Sequence, residues 1–171
     1  MKILSFINNK KGFTLIELLI TLIILLLVIG MSYSFYYYVF RSFDVASQQS
    51  DVQQNVRIAK NIIENEVRLA TYIKIGSEPT EEYNQRIYVS DGQIKHYVEG
   101  QGTNNLLSIP SGSVDLQLSF IKTAPSLLEI KVEGDINGEH NYDITSELLV
   151  LNGNGHIDGD EGTEVYFLTS D

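Results

Sequence analysis

The 171-residue chain has no cysteine, and that absence removes disulfide frameworks, thiolate metal sites, cysteine nucleophiles and thiol redox chemistry together. It has no tryptophan and only three histidines. His96, His140 and His156 are scattered, and no pair stands at the i, i+4 spacing of a helical metal site. Positive charge is scarce as well, with 12 Lys and Arg against 22 Asp and Glu, a net of −10. A surface that holds nucleic acid by neutralising phosphates needs clustered Lys and Arg, so direct nucleic-acid binding is not expected. Catalytic arrangements are also missing. Ser90, Ser111 and Ser146 lack a nucleophile elbow or a paired base, and Glu81-Glu82 and Asp158/Asp160/Glu161 read as solvated acidic clusters. A non-enzymatic protein is expected.

What charge there is lies unevenly. Lys2, Lys10 and Lys11 precede residue 13, whereas residues 44–171 carry 8 basic and 21 acidic side chains, a net of −13. Between them, Leu18 to Phe40 holds no charged residue in 23 positions. A helix needs roughly 20 apolar residues to cross a bilayer core about 30 Å thick, so this stretch can span. Phe13, Leu15 and Ile16 extend it, and Tyr33, Tyr36, Tyr37 and Tyr38 crowd its far end, where amphipathic rings favour the membrane interface. The basic leader predicts a cytoplasmic N-terminus and an extracytoplasmic acidic bulk. A secretory signal peptide fits less well. The apolar run exceeds the usual length of its hydrophobic region, and the small-x-small sites Gly30-Met31-Ser32 and Ser32-Tyr33-Ser34 lie inside that run.

Glu17 is the informative residue, because a carboxylate at mid-bilayer costs about 2.5–3.5 kcal/mol, less near the interface. If the chain starts at Met1, Glu17 snorkels at the membrane edge. If it is cut after Gly12, the new α-amino group of Phe13 is a cation one helical turn from Glu17, or within reach of a neighbour's Glu17.

Lys10-Lys11-Gly12-Phe13-Thr14-Leu15-Ile16-Glu17-Leu18-Leu19-Ile20 resembles the class III signal of type IV pilins and pseudopilins: a short basic leader ending in Gly, a Phe that becomes the first mature residue, a Glu at the fifth mature position, then a long apolar helix. The resemblance implies that a prepilin peptidase cuts between Gly12 and Phe13 and methylates the new amine. It further implies partners: other pilin subunits through the N-terminal helix, an inner-membrane assembly platform, and membrane lipid before assembly. Glu17 would neutralise the Phe13 amine of an adjoining subunit during docking. No proline precedes Pro79, so no proline kink is expected, and Gly30 is the one helix-weakening residue in the span.

Beyond the span, Val52, Val56, Ala59, Ile63, Val67 and Ala70 recur at steps of three and four, the period of one helical face. A helix from residue 13 to about 74 would be about 90 Å long. After Gly76 the period becomes two. Ile87–Val89 and Ile94–Val98 around Asp91-Gly92 predict a hairpin. Val114–Phe120, Leu128–Val132, Tyr142–Leu151 and Thr163–Leu168 complete about six strands. The expected fold is α+β, a long N-terminal helix packed on an antiparallel β-sheet head. Its parts are a leader at 1–12, a membrane and filament-core helix at 13–43, an amphipathic helix at 44–75 and a β head at 76–171.

The segment from Asn152 to Glu161 partly resembles an EF-hand or dockerin calcium loop. Placing Gly155 at the loop glycine puts Asn152, Asn154, Asp158 and Glu161 at ligand positions, with His156 offering its backbone carbonyl. The first ligand position then falls on Val150, which cannot coordinate. Glycine and asparagine clusters between strands are also ordinary turns, and both readings stand, with Ca²⁺ the one cofactor candidate. The functional expectation is a minor pilin or pseudopilin of a pilus-like filament, a type II secretion system or a competence system. The alternative is a membrane-anchored extracytoplasmic binding module that does not polymerise.

Overall fold

The computed structural model describes residues 12–76, 83–107, 114–136, 138–151 and 157–169. It contains one long helix, α1 (Leu15–Arg68), and, among the described residues, ten strands. The chain divides into two units, Met1–Val45 and Ala46–Asp171.

In the first unit every described residue is exposed. Its helical segment is held by backbone bonding and by hydroxyls that turn inward on the helix's own carbonyls. Thr21 Oγ1 donates to the Leu18 carbonyl at 2.9 Å, Ser32 Oγ to Val28 at 2.7 Å and Ser34 Oγ to Gly30 at 3.0 Å. These three aliphatic hydroxyls therefore satisfy themselves locally, as a segment surrounded by hydrocarbon requires. The helix passes Gly30 without interruption.

In the second unit α1 buries Val52, Val56, Ala59, Ile63 and Val67, each fully, which is the predicted stripe. Ala70 does not continue it. The helix stops at Arg68, short of the expected residue 74, and Ala70–Ile75 forms β1 with Ala70, Ile73 and Ile75 buried. The reason is local: Thr71, Tyr72, Ile73 and Ile75 are β-branched or aromatic and fit a pleated surface better than a helix.

The strands form two sheets, where one antiparallel sheet was expected. A six-stranded sheet runs in the order β4 (Gly102–Asn105), β3 (Gln93–Val98), β2 (Gln85–Ser90), β10 (Val165–Thr169), β1, β8 (Ile157–Asp158). A four-stranded sheet runs β7 (Glu139–Leu149), β6 (Leu127–Ile136), β5 (Asp115–Ala124), β9 (Glu161–Gly162). All pairings are antiparallel except β1 with β8. The predicted hairpin is β2–β3, and its turn has Asp91 at φ 57° and Gly92 at φ 68°, the two positive values that a tight two-residue turn needs.

Ile73, Ile87, Ile94, Val165 and Phe167 of the larger sheet, Leu116, Phe120, Leu128, Ile130 and Val132 of the smaller, and the stripe of α1 belong to one core cluster. Gly134 on β6 lets the helix approach: a Cβ there would lie 2.6 Å from Val56 Cγ2 and 3.3 Å from Val52 Cγ1. At the same face Ser146 Oγ of β7 donates to the Glu64 carboxylate, which also pairs with Lys60 at 2.8 Å.

Candidate processing and assembly site

Gly12 and Phe13 precede the helix and are open to solvent, with Phe13 82% exposed. Among the described residues a Cβ built on Gly12 meets nothing within 4 Å. Thr14 and Glu17 form a reciprocal cap at the helix start. Glu17 N–H donates to Thr14 Oγ1 at 3.3 Å, and Thr14 N–H and Oγ1–H each donate to Glu17 Oε2 at 3.1 Å. Thr-x-x-Glu ahead of an apolar run is the sequence signature of such a capping box. The cap supplies neutral donors where the sequence suggests a charged partner for Glu17. The carboxylate thus has hydrogen-bond donors within its own chain before any new amine exists, and its negative charge lies at the positive end of the helix dipole.

Past this cap the apolar side chains are bare. Leu19, Ile23, Leu26 and Val28 are 46–60% exposed, although a helix leaves each side chain partly covered by its own neighbours. Every Leu or Ile left in water forgoes about 1.5–3 kcal/mol of burial, so this surface must be covered by lipid or protein. Tyr36 and Phe40, one turn apart, pack ring to ring at 4.3 Å. The helix qualifies as a candidate membrane span by length and hydropathy.

The calcium reading falls largely outside the described residues. Asn152, Asn154 and His156 are not among them. Asp158 and Glu161 are described, and they sit on β8 and β9, strands of different sheets. Asp158 Oδ2 is ion-paired with Lys74 Nζ, and its Oδ1 accepts the Gly159 N–H at 2.9 Å. Lys122 Nζ donates to the Ile157 carbonyl at 2.6 Å. The Lys74 hydrogen bond, more than its charge, holds the Asp158 carboxyl below its ordinary value. Two ammonium groups therefore already serve this corner, and a divalent cation would have to compete with them. Among the described residues no group of three His, Cys, Asp or Glu side chains converges as a metal site. His96 is a structural residue: Nε2 bonds Gln85 Oε1 at 2.8 Å, its ring lies parallel to Phe167, and burial pulls its pKa down.

Residues 7–33 match the prokaryotic N-terminal methylation motif, the signal of type IV pilins and pseudopilins. The motif is that of a type IV pilin-like precursor processed at its N-terminus, and it fits membrane anchoring through the long apolar helix. No curated protein and no solved structure matches the chain.

Proposed function

We propose that the chain is a minor structural subunit, pilin or pseudopilin, of a type IV pilus-like filament, cut after Gly12 and assembled through its N-terminal helix. The observation that carries the reading is the union of the methylation motif with a helical segment whose residues 15–45 bury nothing. The head of residues 46–171 has a core cluster to which no described residue of 12–45 belongs.

The mechanism follows from charge and area. In the precursor, Lys2, Lys10 and Lys11 keep the leader on the cytoplasmic side while lipid covers the apolar surface. Cleavage of the Gly12–Phe13 bond discards those three cations and creates a new one, the Phe13 amine, which methylation keeps positive. That amine lies one residue before the Thr14 cap. It gives Glu17, its own or an adjoining subunit's, an ionic partner that the precursor lacks, and in a low-dielectric bundle such a pair is strong. Exchange of lipid for equivalent helices then buries Leu and Ile faces without exposing them to water. Other pilin subunits, a prepilin peptidase and an inner-membrane assembly platform are the partners this requires.

The test is the N-terminus of protein recovered from cells. N-methyl-Phe13 by mass spectrometry is the expected result, and an intact leader beginning at Met1 would instead fit a tethered, non-polymerising module. Gly12→Val should accumulate as an uncut membrane-bound precursor, and Glu17→Val should insert normally but be missing from sheared filaments.

A further inference from the structure

The two sheets present solvated faces of different chemistry. On the four-stranded sheet the outward positions include Asp115, Gln117, Glu129, Glu133, Asp143 and Glu147, with no aromatic among them. On the six-stranded sheet the strand register aligns one row across the outward face: Thr103, Tyr97, Arg86, Tyr166, Lys74 and Asp158. Of the six tyrosines in residues 46–171, Tyr72, Tyr83, Tyr88, Tyr97 and Tyr166 belong to this face, and Tyr142 does not. Tyrosine is a good strand residue, but a solvated face does not require it, as the carboxylate-rich face shows.

The rings are arranged. Tyr166 is buried, with Tyr83 edge-on to it at 4.8 Å, and the Arg86 guanidinium lies 4.3 Å from the Tyr88 centroid and 5.0 Å from that of Tyr166. Glu164 fixes the guanidinium through two N–H donors, Nε at 2.9 Å and Nη2. Of five guanidinium N–H groups, three remain for a ligand. Tyr83, Arg86, Tyr88, Tyr97 and Thr103 line a cleft of about 180 Å³. Tyr97 sits in its row between Arg86 and Thr103, and among the described residues neither its ring nor its hydroxyl has a partner.

We propose that this cleft binds a single uncharged saccharide unit of a glycan, stacked on Tyr97 and hydrogen-bonded through Arg86 and Thr103. Charge selects the ligand class. The Arg86 cation is neutralised by Glu164, so the cleft offers no net charge to an anion, and a cation would meet the guanidinium already lying against Tyr88 and Tyr166. What the cleft does offer is an aromatic face with hydroxyl and N–H groups at its sides. A pyranose matches this with an apolar ring face and an equatorial rim of hydroxyls. The volume admits one ring, smaller than the usual drug-sized pocket, and sets an affinity on the order of millimolar per unit, raised by repetition when many copies act together. The site lies wholly within the second unit and does not depend on whether the chain polymerises.

The experiment is saturation-transfer difference NMR on the full chain in a polyoxyethylene detergent, since a maltoside headgroup would itself occupy the cleft. The probes are neutral oligosaccharides ending in glucose, galactose or N-acetylglucosamine, with sialic acid as the charged comparison. Transfer to at least one neutral terminus is expected, with about tenfold or greater weakening in Tyr97→Ala and little change in Tyr97→Phe, which keeps the ring. Tyr142→Ala, outside the cleft, should bind as the parent does. Thermal unfolding checks that Tyr97→Ala is folded, and Thr103→Val gives a second, milder loss if it is not. Absence of transfer from every neutral sugar at millimolar concentration overturns the proposal. So does transfer that survives both Tyr97→Ala and Thr103→Val, or a protein partner that needs Tyr97 while no sugar binds.

Discussion

The two halves of α1 share one backbone conformation and differ in everything that surrounds it. Residues 15–45 bury no side chain, whereas residues 46–68 bury Val52, Val56, Ala59, Ile63 and Val67 completely. The first half carries an uncharged run, Leu18 to Phe40, on all its sides, and the second is apolar on one stripe, flanked by Gln53, Gln54, Arg57 and Lys60. Helical hydrogen bonding is therefore not what distinguishes them. The half with the stripe is stabilised by its own chain, and the half without it awaits a covering that the chain does not supply.

The sharpest way to break that contrast is truncation on each side of it. Ile63→Ala should cost about 2–5 kcal/mol in urea unfolding followed by tyrosine fluorescence, because it opens a cavity in the core. Ile24→Ala should leave head stability within about 0.5 kcal/mol. Equal losses in the two variants would mean that the first half also folds against the head. Gly134→Ala tests the contact itself. The added methyl meets Val56 and Val52, and a loss of about 1–3 kcal/mol is expected by the same measurement; a neutral result would show that the helix can shift without cost.

A smaller effect sharpens the polar edge of that contact. Ser146→Ala removes one donor to Glu64 and should cost about 0.5–1.5 kcal/mol. Burial pushes the Glu64 pKa up, but hydrogen bonds from Lys60 and Ser146 outweigh it and hold the carboxyl below its ordinary value of 4.5. A carboxyl depressed in the folded state stabilises fully above its unfolded pKa and loses that contribution as pH falls through the folded value. Denaturation midpoints measured between neutral and acid pH should therefore decline below about pH 4.5, and Glu64→Gln should flatten that decline. The least effect on the head belongs to Thr14→Val, which removes the cap from the exposed half. Urea unfolding should not move, while the Glu17 amide, now without its hydroxyl acceptor, should exchange with deuterium faster.

Much of this was legible from residues alone. The apolar run, the stripe from Val52 to Val67 and the Asp91-Gly92 hairpin each carry a length, a period or a turn dipeptide that points to the element found. The helix end did not, because Ala70 continues the helical spacing by coincidence while Thr71 to Ile75 alternate as a strand. The division into two sheets was hidden as well. β8 and β9 are two residues each, too short for any periodicity, and β1 reaches β8 by a parallel pairing that no local signal announces. At the site, Gly12, Phe13 and Glu17 stand out by type and spacing, whereas a neutral capping hydroxyl such as that of Thr14 carries no charge to mark it. The tyrosine face is invisible until strand pairing is known, since Tyr72, Tyr88, Tyr97 and Tyr166 lie on four different strands and share a face only once those strands are paired.

One residue, Leu69, separates the end of α1 from β1, and β1 is hydrogen-bonded on both flanks, to β10 near the chain's end and to β8. A pull along the helix that overcomes the packing of its buried stripe therefore meets β1 with one residue of slack. β1 cannot leave the sheet without breaking both of its ladders, the longer one to β10 and the two-residue one to β8. β10 thus works as a clasp on β1, and shortening β10 should loosen the anchorage of the helix before it alters the rest of the fold.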